Sequence, residues 1–190
     1  MDTKKETSKA FTMIEVLVVV TVMLAVFLIT ITNFSQYKLQ FSLSSVVYAF
    51  AQDVSRAQNM ALAGVPYKDS LGVEQGIDGY GIFGDITGLG NKEYIMYADK
   101  SPGNQQYDAT DYIISTIDFS SSEPGIIIKQ IDNVSANKAS VNFSILTNTT
   151  TITQLNVGQN KAVFVFAFAS DPTTTKTVSI NTSGLVQVQQ

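Results

Sequence analysis

Cysteine and histidine are both absent from the sequence. Without them no Ser-His-Asp or Cys-His constellation can be built, and ordinary zinc sites lose their usual ligands. Disulfides are excluded as well, so a domain exposed to an oxidising compartment has to hold together through its core. Arginine is nearly absent, with Arg56 the single copy, and no stretch of clustered Lys or Arg follows the first ten residues. With a net charge of −4, the chain lacks the basic face that neutralising phosphates requires, and no nucleic-acid partner is expected. Proline and glycine are missing throughout Phe11 to Ala63, so nothing breaks a helix there. That stretch is long enough for one helix of about 80 Å.

What is present is unevenly spread. Apolar residues make up 45% of the chain and charged residues 15%. After the polar leader "MDTKKETSKA" comes "FTMIEVLVVVTVMLAVFLITI", residues 11–31, with Glu15 as its single charge. At ~1.5 Å per residue this run spans roughly 30 Å, the thickness of a bilayer core. It is too long for a secretory signal core of about 7–15 residues, and the "TNFSQY" after it offers no small-residue cleavage site. A plain anchor fits its length; a buried soluble helix fits poorly, because the run is apolar on all sides. Lys4, Lys5 and Lys9 precede the run and Lys38 is the next basic residue, so the positive-inside rule puts the N-terminus in the cytoplasm. Glu15 is the anomaly. A carboxylate at the centre of a membrane helix costs about 2.5–3.5 kcal/mol, and less near an end. Glu15 lies about 6 Å into the run.

Lys9-Ala10, then Phe11, then Glu15 four residues on, then a long apolar stretch: this order resembles the class III leader of type IV pilins and pseudopilins. The resemblance implies cleavage by prepilin peptidase between Ala10 and Phe11, N-methylation of Phe11, and retention of the apolar run as a filament core. It also implies that Glu15 pairs with the N-terminal amine of a neighbouring subunit and sets subunit register. A buried carboxylate needs such a countercharge, and in a helix the same spacing also permits a contact within one chain. Two positions depart from the family. Ala10 stands where glycine is usual, which leads to the expectation of slower cleavage. Thr32 stands where the family often has proline, so no proline kink is expected there.

Beyond the run, Leu43, Val47, Phe50, Val54, Ala57 and Ala61 recur at spacings of three and four. They mark one helical face, expected to pack on a sheet. Gly64 and Pro66 form a stop signal. Downstream the pattern changes to short strands: "GYGIFG", "EYIMYA", "YIISTIDF", "GIIIKQI", "VNFSIL", "ITQLNV", "AVFVFAFA", and "TVSIN" joined to "LVQVQ" through a hairpin turn at Asn181–Gly184. No helical period appears after residue 64. The order of long helix, "GYGIFGD" and closing hairpin is similar to the minor pseudopilin H and FimT-like branch. Some FimT-like proteins bind DNA through a basic tail, and the tail here, "TSGLVQVQQ", has no Lys or Arg.

Three other patterns carry less. Gly79 to Gly84 is formally G-x-G-x-x-G, but no helix follows, so the reading is a glycine-rich strand whose backbone passes close to the helix or twists. Asp99, Asn104, Asp108 and Asp111 supply hard oxygen ligands of the kind Ca²⁺ takes, yet their spacing matches no EF-hand; the reading is a solvated acidic loop. Asn33, Asn133, Asn142, Asn148 and Asn181 each open an N-x-[ST] triplet, a chance product of a chain rich in Thr, Ser and Asn.

The expected architecture is therefore α+β and pilin-like: a long N-terminal helix packed on antiparallel sheet. Residues 1–10 form a cleaved cytoplasmic leader, 11–31 a transmembrane and filament-core helix, 32–64 its amphipathic extension, and 65–190 an extracytoplasmic β-rich domain. The expected role is that of a non-enzymatic filament subunit without cofactors. Its expected partners are prepilin peptidase, sister subunits, the inner-membrane assembly platform and the cytoplasmic membrane. Three alternatives stay open: a major pilin, an anchored binding domain that never polymerises, and an extracytoplasmic enzyme that uses paired carboxylates in a deep acidic cleft.

Overall fold

The computed structural model describes residues 12–87, 90–120 and 123–189, with side chains throughout these except at 31–36. The class is α+β. One helix, α1 (Met13–Leu62), is followed by eleven strands: β1 (Tyr67–Lys68), β2 (Glu74–Gln75), β3 (Ile77–Asp85), β4 (Glu93–Lys100), β5 (Tyr112–Asp118), β6 (Ile126–Asp132), β7 (Lys138–Ser144), β8 (Thr150–Ile152), β9 (Lys161–Phe168), β10 (Thr175–Asn181) and β11 (Val186–Gln189). The chain divides into two units, Met1–Phe41 and Ser42–Gln190.

In the first unit, the side chains of residues 12–30 are all exposed. The segment Met13–Thr30 is long and apolar enough to cross a membrane, and none of it is buried within the chain. Its threonine hydroxyls are satisfied inside the helix: Thr21 Oγ1 donates to the Leu17 carbonyl at 2.8 Å and Thr30 Oγ1 to the Val26 carbonyl at 2.9 Å. Each hydroxyl thereby presents no unbonded donor to an apolar surrounding.

In the second unit, the expected stripe is the core. Leu43, Val47, Phe50, Val54, Ala57 and Ala61 are all buried. They pack on two antiparallel sheets, a five-stranded one in the order β5-β4-β3-β7-β8 and a four-stranded one in the order β11-β10-β9-β6. Phe50 joins them. Its ring meets Tyr94 of β4 edge-on at 4.9 Å and lies 4.8 Å from Phe164 and 5.3 Å from Phe166 of β9. A polar tie reinforces the packing, since the Tyr94 hydroxyl donates to Asp53 Oδ2 at 2.7 Å. Burial, and then that bond to Asp53, hold the phenol well above its ordinary pKa.

The helix stops as its residues dictate. Gly64 adopts φ 57°, its N–H bonds the Ala61 carbonyl at 3.0 Å, and the Val65 N–H bonds the Met60 carbonyl at 3.1 Å. This pair of bonds is a Schellman ending, and the left-handed residue it needs favours glycine.

Most strand expectations hold, and the hairpin at Asn181–Gly184 closes as read, with the Gly184 N–H on the Asn181 carbonyl at 2.9 Å. Two elements differ. "ITQLNV" is mostly turn: β8 ends at Ile152, Gln154 takes φ 61°, and Leu155 keeps only a single bridge to Val134. The small hairpin β1-β2 was not foreseen. Asp69 organises its turn by accepting the N–H groups of Leu71 and Val73, both at 2.9 Å.

Candidate functional site

Two places carry the residues singled out by sequence. The first is the start of α1. Ala10 and Phe11 lie outside the described residues. Glu15 lies in the first turn of the helix, and its local role is legible. The Thr12 N–H donates to Glu15 Oε2 at 3.0 Å, the Thr12 hydroxyl donates to the same oxygen at 3.0 Å, and the Glu15 N–H donates back to Thr12 Oγ1 at 3.3 Å. This is a capping box, with Thr12 as N-cap and Glu15 as the third residue of the helix. A carboxylate there also meets the positive end of the helix dipole. The signal was available as T-x-x-E before an apolar run, and the sequence reading passed over it. Thr12 is thus the neighbour that fixes where the Glu15 carboxylate points.

The second place is the end of β4, with Asp99, and the loop after it, with Asn104, Asp108 and Asp111. These residues do not form a cation cage: among the described residues, no three Asp or Glu side chains converge to hold a metal ion. Their oxygens are turned to the loop instead. Asp108 accepts the Thr110 N–H at 2.7 Å and the Asn104 side-chain amide at 2.7 Å. Asp111 accepts the N–H groups of Lys100 at 2.9 Å and Asp108 at 2.8 Å. The Thr110 bonds hold the Asp108 carboxyl below its usual range, whereas burial pushes Asp111 up.

Asp99 departs most from a solvated acid. It is 1% exposed and sits on the face of the five-stranded sheet opposite α1, beside Tyr97, Ser140 and Asn142. Asn142 Nδ2 donates to Asp99 Oδ2 at 3.1 Å and to the Tyr97 hydroxyl at 3.3 Å. The Tyr97 hydroxyl in turn shares a 2.5 Å bond with Ser140 Oγ. These side chains come from β4 and β7, which are separated by β3. They meet because β3 carries glycine between them: a Cβ on Gly81 would lie 2.5 Å from the Tyr97 ring, and one on Gly79 would lie 2.6 Å from Asn142 Oδ1. Gly79 and Gly81 of "GYGIFG" therefore clear space for a polar cluster on the outer face, Gly84 clears it for the Phe164 ring in the core, and none of these approaches is to the helix. Tyr80 and Ile82, the residues between and after the first two glycines, point to the core with α1. The loop closes over this cluster. Its Gln105 N–H donates to Asp99 Oδ2 at 2.9 Å, its Tyr107 N–H to Ser140 Oγ at 3.1 Å, and the Tyr107 ring stacks on Phe83 at 4.6 Å.

Comparison with protein-family models, with curated proteins and with solved structures finds no match to this chain.

Proposed function

We propose that the chain is a subunit of a type IV filament, a minor pseudopilin of a secretion-like or pilus system. One observation carries the reading: a lone carboxylate, Glu15, stands in the first turn of an apolar segment whose side chains are exposed from residue 12 to residue 30. An apolar helix with no covering of its own needs lipid or neighbouring copies around it. An acid placed among those copies needs a cation, and cleavage after Ala10 would make one at the amine of Phe11.

In this reading the chain waits in the cytoplasmic membrane with its N-terminus inside and residues 65–190 outside. Prepilin peptidase removes residues 1–10 and methylates Phe11. The Glu15 carboxylate, oriented by Thr12, then pairs with the amine of the next subunit and sets the register as the apolar segments pack. Removing the leader takes away three Lys against Asp2 and Glu6. Nine basic and fourteen acidic side chains remain, a formal charge of −5. The outward domain is therefore suited to protein neighbours and poorly suited to nucleic acid. Major and minor subunits of such a filament differ in copy number, which quantifying the subunit in isolated filaments would establish.

The capping box favours a second reading. Glu15 already has a partner within its own chain, so an anchored β domain that never polymerises would also retain it. Intact mass and N-terminal sequencing of the membrane-extracted chain, from cells with and without prepilin peptidase, separate the two. A chain beginning at Phe11 with an added methyl group, only where the peptidase is present, supports the filament subunit. Retention of Met1 to Ala10 in both cells rules it out in favour of the anchor.

A further inference from the structure

Among the described residues, two buried oxygens of the outer-face cluster have no hydrogen-bond partner, Asp99 Oδ1 and Asn142 Oδ1. Both residues are essentially inaccessible, Asp99 at 1% and Asn142 at 0%. A buried carboxylate oxygen without a donor is costly, and so is an orphaned amide carbonyl. The two side chains are already joined by one bond, Asn142 Nδ2 to Asp99 Oδ2 at 3.1 Å. An acid and a primary amide linked this way can close a second bond, O–H···O, and a single proton on Asp99 Oδ1 would then give both orphaned oxygens a partner. We propose that Asp99 is carried as the neutral acid, paired in this way with the Asn142 amide, and that the pair is an acid-dependent latch holding the loop 101–111 on the sheet.

The surroundings favour the proton. Asp78 on β3 faces Asp99 and itself holds the loop, accepting the Gly103 N–H at 2.6 Å. Asp111, before β5, adds a second negative charge, and Asp108 and Tyr107 face the cluster from the loop. From β7 come only the neutral Ser140 and Asn142. On β4 itself, Tyr97 is a phenol held neutral by burial, and the Lys100 ammonium sits 5.6 Å from the centre of the Tyr112 ring. Burial first pushes the Asp99 carboxyl above its ordinary range; the Gln105 and Asn104 N–H groups act the other way, and the charges of Asp111 and Asp78 add to the upward push. The loop backbone is seated on this carboxyl: a Cβ on Gly103 would lie 2.6 Å from Asp99 Oδ1 and 2.7 Å from its Cγ and Oδ2.

The linkage has a definite sign. A carboxyl with a raised folded-state pKa binds more protons in the folded chain than in the unfolded one. Its contribution to stability is full below the ordinary carboxylate value and is lost as pH rises through the folded value. The test uses the full chain in detergent micelles, with unfolding followed by the near-ultraviolet signal of its tyrosines. The expected result is a difference in Tm between wild type and Asp99→Asn that grows from about pH 4 to about pH 8, with the variant the more stable at the upper end. The isosteric amide supplies Asn142 Oδ1 with a donor at every pH. Carboxyl carbon-13 spectra of the wild-type chain give the second readout, an Asp99 midpoint above the ordinary value of about 3.9, and this decides the matter if the variant fails to fold. A midpoint at or below that value overturns the latch, as does a variant less stable than wild type at the upper pH. Stabilisation of wild type but not of the variant by added Ca²⁺ also overturns it, because a cation would then be doing the proton's work.

Discussion

The two halves of α1 solve opposite problems with similar residues. Residues 13–30 are mostly valines, leucines and isoleucines, and the chain leaves them uncovered. In residues 42–62 most of the apolar groups fall on one stripe, and that stripe is covered by the chain's own sheets, with Tyr48 and Leu62 left exposed outside it. The stripe contributes to folding, with a fully buried Leu, Val or Phe side chain adding about 1.5–3 kcal/mol. The uncovered half contributes nothing of that kind until lipid or another subunit surrounds it. Apolar content alone therefore does not say where a helix belongs. Whether polar residues alternate with the apolar ones does, because only a segment that keeps a polar face can sit half in water.

Substitutions in each half should separate these roles. The largest effect is expected from Phe50→Ala, which removes the ring shared by the two sheets. A loss of about 3–5 kcal/mol is expected by denaturant unfolding, with the chain still recovered in the membrane fraction. Val20→Asp should do the reverse. The insertion cost of about 2.5–3.5 kcal/mol should deplete the membrane fraction, while the Tm of the β domain stays unchanged. If Val20→Asp lowers that Tm instead, the contrast between the halves fails. Gly81→Ala should destabilise by about 1–3 kcal/mol, since its methyl group would meet the Tyr97 ring; a neutral result would mean that the Tyr97 ring can shift at no cost. The smallest effect is expected from Thr12→Ala, about 0.5–2 kcal/mol in helix stability, read by amide exchange in the first turn. Glu15→Gln sharpens that last comparison. Glutamine still serves in a capping box, so exchange in the first turn should hold, whereas filament assembly, which in the proposed reading needs the charge, should be lost.

Periodicity made the helix legible. Every residue of the stripe from Leu43 to Ala61 proved buried because a spacing of three and four leaves no other face for a core. The Gly64 stop was equally legible, since few residues tolerate that backbone angle. Short strands were less so. "ITQLNV" has the apolar and β-branched content of a strand, but β8 ends at Ile152 and Gln154 turns the chain. The hairpin β1-β2 has too few residues for any pattern. The outer-face cluster was the least legible. Asp99, Asn142 and the glycines of β3 are far apart in sequence, and each reads locally as something else: a loop acid, a chance triplet, a strand that passes close to the helix or twists.

By itself the sequence determined what each segment needs: an apolar surrounding for residues 11–31, a sheet beneath the stripe that follows, and a polar partner for Glu15. Those needs are local, because hydrophobicity, period and charge are properties of neighbouring residues. Only the tertiary structure decided which needs the chain meets alone. It covered the stripe, gave Glu15 a cap in Thr12, and left the apolar half bare. It also buried Asp99 beneath a loop that reads as exposed, because strand pairing brings β3, β4 and β7 side by side, and the burial of a side chain depends on what the rest of the chain lays over it.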